Sequence, residues 1–138
     1  MATIVAIDFD GTIVVHKYPR IGAPAPGAFR WLKRFQELGA RLILYTMRGD
    51  GRAGEPNLLS EAVEFCRANG VEFWAVNHNP EQHTWTASPK VYAHAYVDDA
   101  AVGKPMRVLG TESVVDWDHV GPTVEAFILG REIATRGD

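Results

Sequence analysis

The chain has 138 residues, 46% apolar and 22% charged, with a formal net charge of -3. These proportions suit one globular domain with a real core and little room for a second. The slight acidic balance argues against a nucleic-acid binder held by phosphate attraction, no apolar run approaches membrane-spanning length, and the first residues carry no signal-peptide pattern. A single cysteine, Cys66, excludes an internal disulfide and points to a reducing, cytoplasmic compartment.

Apolar runs alternate with helical patterns along the chain, which predicts an α/β fold built on a mainly parallel sheet. Thr3 to Ile7 reads as a first buried strand. Val14 to Pro26 falls outside the regular elements and is read as a flap. Gly27 to Leu38 is expected to be helical, because Ala28, Trp31, Leu32, Phe35 and Leu38 share one stripe and Gly39 stops it. Leu42 to Tyr45 is a second strand, Leu58 to Asn69 a second helix ended by Gly70, and Phe73 to Val76 a third strand. Ser88-Pro89 reads as an N-cap and first helical residue ahead of Lys90. Ala95 to Val97 is a fourth strand and Val114-Val115 a short fifth. Pro122 to Ile133 reads as a closing helix with Pro122 in its first turn.

In such a sheet the strand ends share one edge, where ligands bind. The first strand delivers Asp8-Phe9-Asp10-Gly11-Thr12, the second Thr46-Met47-Arg48, and the fourth Asp98-Asp99. Four carboxylates in one crevice repel one another unless a cation neutralises them, and magnesium suits oxygen ligands while bridging to phosphate. A threonine hydroxyl and the Lys90 ammonium suit the remaining phosphate oxygens. One aspartate can then attack phosphorus, and a second two residues on can move the proton. The residues suggest metal-assisted phosphoryl transfer.

Asp8-Phe9-Asp10-Gly11-Thr12-Ile13 resembles the first motif of the haloacid dehalogenase superfamily of phosphohydrolases, Thr46 its second, Lys90 its third and Asp98-Asp99 its fourth. The resemblance implies a three-layer α/β/α Rossmann-like fold. It makes Asp8 the nucleophile and Asp10 the general acid/base, with Asp8, Asp10, Asp98 and Asp99 holding Mg2+. Thr46 and Lys90 join the catalytic set, and Phe9, Gly11, Thr46, Met47 and Lys90 are the expected phosphate contacts. His16, Lys17 and Arg20 in the flap, with Arg48, are candidates to meet the substrate.

The stretches between motifs hold only the helices and strands already placed, so no cap domain is expected. That favours a small phosphorylated metabolite or nucleotide, with a homo-oligomer as one way to close the site. An open site for a phosphoprotein or nucleic-acid end is the alternative within the same chemistry. A receiver-like module also combines aspartates, threonine, lysine and magnesium, but places its acidic pair first and its lysine last. A catalytically silent partner-binding domain would be expected to lack one of these residues, and none is missing.

Overall fold

A computed structural model describes residues 1–136; Gly137 and Asp138, the end of the expected domain, lie outside it. Strand β1 (Ile4–Ile7) leads into a hairpin, β2 (Val14–Lys17) and β3 (Arg20–Pro24). Helix α1 (Ala28–Glu37), β4 (Arg41–Leu44), α2 (Leu58–Ala68) and β5 (Ala75–Val76) follow. The chain continues through β6 (Ala95–Val97), a second hairpin of β7 (Met106–Leu109) and β8 (Glu112–Val115), and α3 (Trp117–Arg136).

Four strands form one parallel sheet in the order β5-β4-β1-β6. This is a Rossmann-like α/β domain without a cap. The unbroken apolar sequence of β1 follows from its place: it is buried on both faces and between two neighbours.

Side chains alternate across the sheet, and the two faces are covered differently. Val5, Ile7, Leu42 and Leu44 pack with Ala28, Leu32 and Phe35 of α1, Ala62 and Cys66 of α2, and Val120, Val124 and Ile128 of α3. Ile4, Ala6, Ile43 and Ala75 instead meet Val91 and Ala93. Right-handed crossovers account for this. The steps from β1 to β4 to β5 run one way and place α1 and α2 on one face. The return from β5 to β6 must cover the other. That return, residues 77–94, supplies the third layer with only a short 3-10 turn, Gln82–Thr84.

No helix opens at Ser88-Pro89. The Gln82 amide donates to the carbonyls of Ser88 and Lys90, both at 3.0 Å, and its oxygen accepts the Tyr92 N–H at 2.8 Å. Backbone groups that a helix would pair are therefore tied to one side chain. Val91 and Ala93 are buried while Tyr92 between them is exposed, an alternation that suits an extended cover.

The other departures are local. The flap is an antiparallel hairpin, with a bulge between Val14 and His16, rather than a stretch outside regular structure. Val114 and Val115 belong to a separate antiparallel pair, not to the main sheet. Helix α3 starts at Trp117, so Pro122 lies inside it. Its start is set by Trp117, buried with its indole N–H on the Thr12 carbonyl at 2.8 Å, and by Asp116, whose Oδ1 accepts the Asp118 N–H.

Candidate active site

Register brings the strand ends level. Ile7 pairs with Leu44 on one side and Val97 on the other, so Asp8, Tyr45 and Asp98 emerge together at the carboxyl edge. Beyond Asp8 the chain turns at once, with the Phe9 carbonyl accepting the N–H groups of Thr12, Ile13 and Val14. The Phe9 ring is fully buried and meets Phe65 edge-on at 6.4 Å. It anchors the turn in the core, so a phosphate contact from Phe9 would have to come from its main chain.

Gly11 makes the turn feasible in two ways. Its φ of +82° is a left-handed conformation, and a Cβ there would collide with the Asp99 carboxylate. Its N–H is bonded to the Val14 carbonyl at 2.8 Å, and its carbonyl accepts the Val115 N–H at 3.0 Å. Gly11 thus shapes the loop and spends its own N–H within it, contrary to the expected phosphate contact.

Thr12, fully buried, joins two motifs. Its hydroxyl donates to Asp8 Oδ2 at 3.0 Å and accepts the Asp99 N–H at 3.1 Å. Sequence reasoning places Thr12 in the motif without giving it a role; a buried threonine after Gly11 is the available signal.

Asp8, Asp98 and Asp99 each offer an oxygen within 4.8 Å of the other two. Burial, then the charge of Asp98 and a hydrogen bond to Asp99, push the Asp8 carboxyl from 3.8 up to about 8, against a smaller opposing effect of Thr12. Asp99 is also raised, chiefly by burial, while a hydrogen bond with Asp8 and, more weakly, His16 on the flap pull the other way. Among the candidate cations, Lys17 pairs with Glu112 at 2.7 Å and Arg48 with Asp10, so neither neutralises this cluster. A hard divalent cation fits this donor set: three carboxylates in reach of one another, repelling, with oxygen ligands only.

Asp10 lies apart from the three. Its carboxylate accepts from Arg48 Nε at 2.8 Å and Nη2 at 2.9 Å. Arg48, expected near the substrate, has its side chain completely buried between the rings of Phe9 and Tyr18, with the centroids 5.1 and 5.2 Å away.

Thr46 is half-buried at the end of β4. Its N–H is held by Asn77 Oδ1 at 2.8 Å, and its hydroxyl oxygen accepts the Arg48 N–H at 3.1 Å. Sequence reasoning misses Asn77; it sits at φ +57°, a conformation that asparagine tolerates better than most residues. Met47 is 97% exposed. Lys90 is exposed, with its ammonium 5.9 Å from the centre of the Tyr96 ring. Tyr96 in turn bonds the Val91 carbonyl at 2.6 Å and stands 6.4 Å from the Tyr45 ring. His16 and Arg20 are exposed on the flap. Beside Asp98, a cavity of about 400 Å³ opens between the loop at 101–105 and α3, with Lys104 and His119 on its walls.

Fold and site together define a cap-less Rossmann-like domain with a half-buried carboxylate cluster at the carboxyl edge of its sheet. The chain matches a solved structure of a conserved protein coded by a locus of Bacteroides thetaiotaomicron, at 40% identity over 91% of this chain and 92% of that one, with a TM-score of 0.71. It belongs to the same family as that conserved Bacteroides protein. No protein-family model matches the chain, and no curated protein does.

Proposed function

We propose that this protein is a phosphatase of the haloacid dehalogenase type, using Mg2+ to hydrolyse a phosphate monoester through an aspartyl-phosphate on Asp8. The observation that carries the reading is the cluster of Asp8, Asp98 and Asp99, three carboxyl groups within reach of one another whose charge neither Lys17 nor Arg48 neutralises, both being paired elsewhere. When bound there, the metal offsets the carboxylate charge and polarises the phosphoryl oxygens.

The chain's own residues supply the rest. Thr12 holds Asp8 Oδ2, which leaves Asp8 Oδ1 as the oxygen to attack phosphorus. The bond to the leaving oxygen breaks as the Asp8–phosphorus bond forms, and the leaving oxygen takes a proton from Asp10. Water then attacks the acyl phosphate, passing its proton to Asp10 and freeing Asp8 and inorganic phosphate. The Thr46 hydroxyl, its main chain fixed by Asn77, is placed to donate to a phosphoryl oxygen. Lys90 serves the same phosphate from the flexible end of its side chain.

The absence of a cap leaves the flap, the residues around Tyr45 and Tyr96, and the cavity beside Asp98 as the surfaces that choose the ester. A small phosphorylated metabolite or nucleotide is the substrate class we favour. The buried, unpaired Cys66 suits a reducing compartment, and we place the protein in the cytoplasm. Among the described residues, no helix is long and apolar enough to cross a membrane.

Release of inorganic phosphate from a panel of phosphate monoesters, with and without Mg2+, tests the reading. Turnover that needs Mg2+ and vanishes in Asp8→Asn supports it. Equal release by wild type and Asp8→Asn overturns the nucleophile assignment.

A further inference from the structure

Arg48 makes more directed contacts than any other group around the crevice. Besides the two bonds to Asp10, Nη1 donates to the Pro19 carbonyl at 3.0 Å and Nη2 to the Arg20 carbonyl at 2.8 Å. Its backbone N–H is tied to Thr46, and its guanidinium is stacked between Phe9 of the first motif and Tyr18 of the flap. One side chain thus links the first motif, the end of β4 and the tip of the β2–β3 hairpin. A planar fork with five donors can do this; a lysine ammonium, a point donor on a flexible stem, cannot.

We propose that Arg48 is a positioning residue that sets the Asp10 carboxyl and the flap turn as one unit. This rests on the phosphatase reading above, in which Asp10 handles the leaving-group proton. Arg48 takes one direction at each Asp10 oxygen, and the Asp10 side chain stays 13% exposed, so its oxygens keep room for a further partner. The hairpin tip is bonded through its carbonyls to the same guanidinium, so displacing Arg48 would release it together with Asp10. Arg48 is spent on these partners and does not bind the substrate phosphate.

The distinguishing property is the dependence on leaving group. An ester whose leaving oxygen is a weak base departs without a proton, so misplacing Asp10 spares it. The experiment compares kcat/KM for phenyl phosphate and 2,4-dinitrophenyl phosphate in wild type, Asp10→Asn, Arg48→Lys, Arg48→Ala and Asp10→Asn/Arg48→Lys. Because kcat/KM extends only through the first irreversible step, it reports formation of the Asp8 acyl phosphate alone.

We expect Arg48→Lys to lose about tenfold or more on phenyl phosphate, toward the loss of a general acid, and less than about threefold on the dinitrophenyl ester. Arg48→Lys in the Asp10→Asn background should add no further loss, as expected for residues acting through one another. Trypsin should also nick Arg48→Lys faster than wild type at Lys17 or Arg20, because the hairpin tip is released. Arg48→Lys keeps charge and most of the volume, so it covers the case in which Arg48→Ala does not fold. Equal losses on both esters, additive losses in the double variant, or unchanged nicking would overturn the proposal. If wild type itself shows no Asp8-dependent release from either ester, the phosphatase reading fails, and this proposal falls with it.

Discussion

The Asp99 carboxylate occupies the space where a side chain at Gly11 would begin, so the first and last motifs of the site are packed directly on one another. That contact is as much a part of the cluster as the carboxylates themselves. Gly11→Ala must both adopt a positive φ and displace Asp99, and the strain alone costs about 1–3 kcal/mol. The expected outcome is a protein with a melting temperature lower by several degrees and a weakened response to divalent cations. Thermal melts with and without Mg2+ measure both, and an unshifted metal response would show that Asp99 is free to move.

Thr12 supplies a second link between the same motifs. Thr12→Val keeps the shape but leaves the buried Asp99 N–H without its acceptor and Asp8 Oδ2 without its donor. An unsatisfied buried group of this kind costs about 1–3 kcal/mol. Thr12→Ser restores the hydroxyl and should recover most of the stability and turnover. A Thr12→Val protein as stable and active as Thr12→Ser would show that the hydroxyl is dispensable.

Burial and the neighbouring carboxylates make ionised Asp8 unfavourable in the metal-free fold. Its folded value, about 8, lies above the ordinary 3.8, so the native state holds the proton more tightly than the unfolded chain does. The associated stability is complete below about pH 4 and is lost as the pH rises toward 8. Asp8→Asn removes that loss. Each tenfold difference in proton affinity between the folded and unfolded chain is worth about 1.4 kcal/mol, and a kcal/mol moves the melting temperature by about 4 °C in a domain of this size. The metal-free Asp8→Asn protein should therefore melt at least several degrees above wild type at pH 8, with the gap closing near pH 4. A gap independent of pH would exclude Asp8 titration as its cause.

What the sequence made legible here was local. The apolar runs and strand-end acids placed β1, β4 and β6 and grouped Asp8, Asp10, Asp98 and Asp99, because a parallel sheet puts such ends on one edge; the fold keeps three of them together and holds Asp10 apart on Arg48. Arg48 is recognisable as near the site, but its partner is not, since a long side chain two residues past a strand can reach the crevice, the flap or solvent. The choice between them is made by Pro19 and Arg20 carbonyls supplied from a different hairpin. Lys17 shows the same limit, its charge being taken by Glu112 on the second hairpin. The helix expected from Ser88-Pro89 fails for a tertiary reason as well: Gln82 captures the backbone that the helix would have used, and the underlying sheet face asks for an extended cover. Asn77 carries no motif at all, and only the folded sheet brings it against Thr46.

Asn77 accordingly separates two contributions. Asn77→Gly keeps the left-handed backbone at little cost but removes the acceptor for the Thr46 N–H, whereas Asn77→Ala loses both. If the anchored Thr46 main chain matters for phosphate binding, both variants should raise KM several-fold, and both should lower the melting temperature through the lost hydrogen bond, with Asn77→Ala adding backbone strain. A KM raised in Asn77→Ala alone would trace the effect to backbone strain rather than to the lost hydrogen bond.

Cation binding should be linked to pH through the same carboxylates. A divalent ion at Asp8, Asp98 and Asp99 must displace the proton that Asp8 holds with a folded value of about 8, so its affinity falls as the solution becomes more acidic. An ion that binds only the native state stabilises it by RT ln(1 + [L]/Kd), about 2.7 kcal/mol when the free ion is a hundred times Kd. At one fixed Mg2+ concentration the rise in melting temperature should be larger at pH 8 than at pH 5.5. Asp98→Asn removes one charged ligand and should abolish most of that rise at both values. The linkage also inverts the stability profile: without metal the protein weakens as the pH rises toward 8, whereas with saturating Mg2+ the ionised cluster is the favoured form. Melting curves across that range, with EDTA in one series and Mg2+ in the other, should therefore diverge toward high pH. Parallel curves would mean that the three carboxylates do not act together as a cation site.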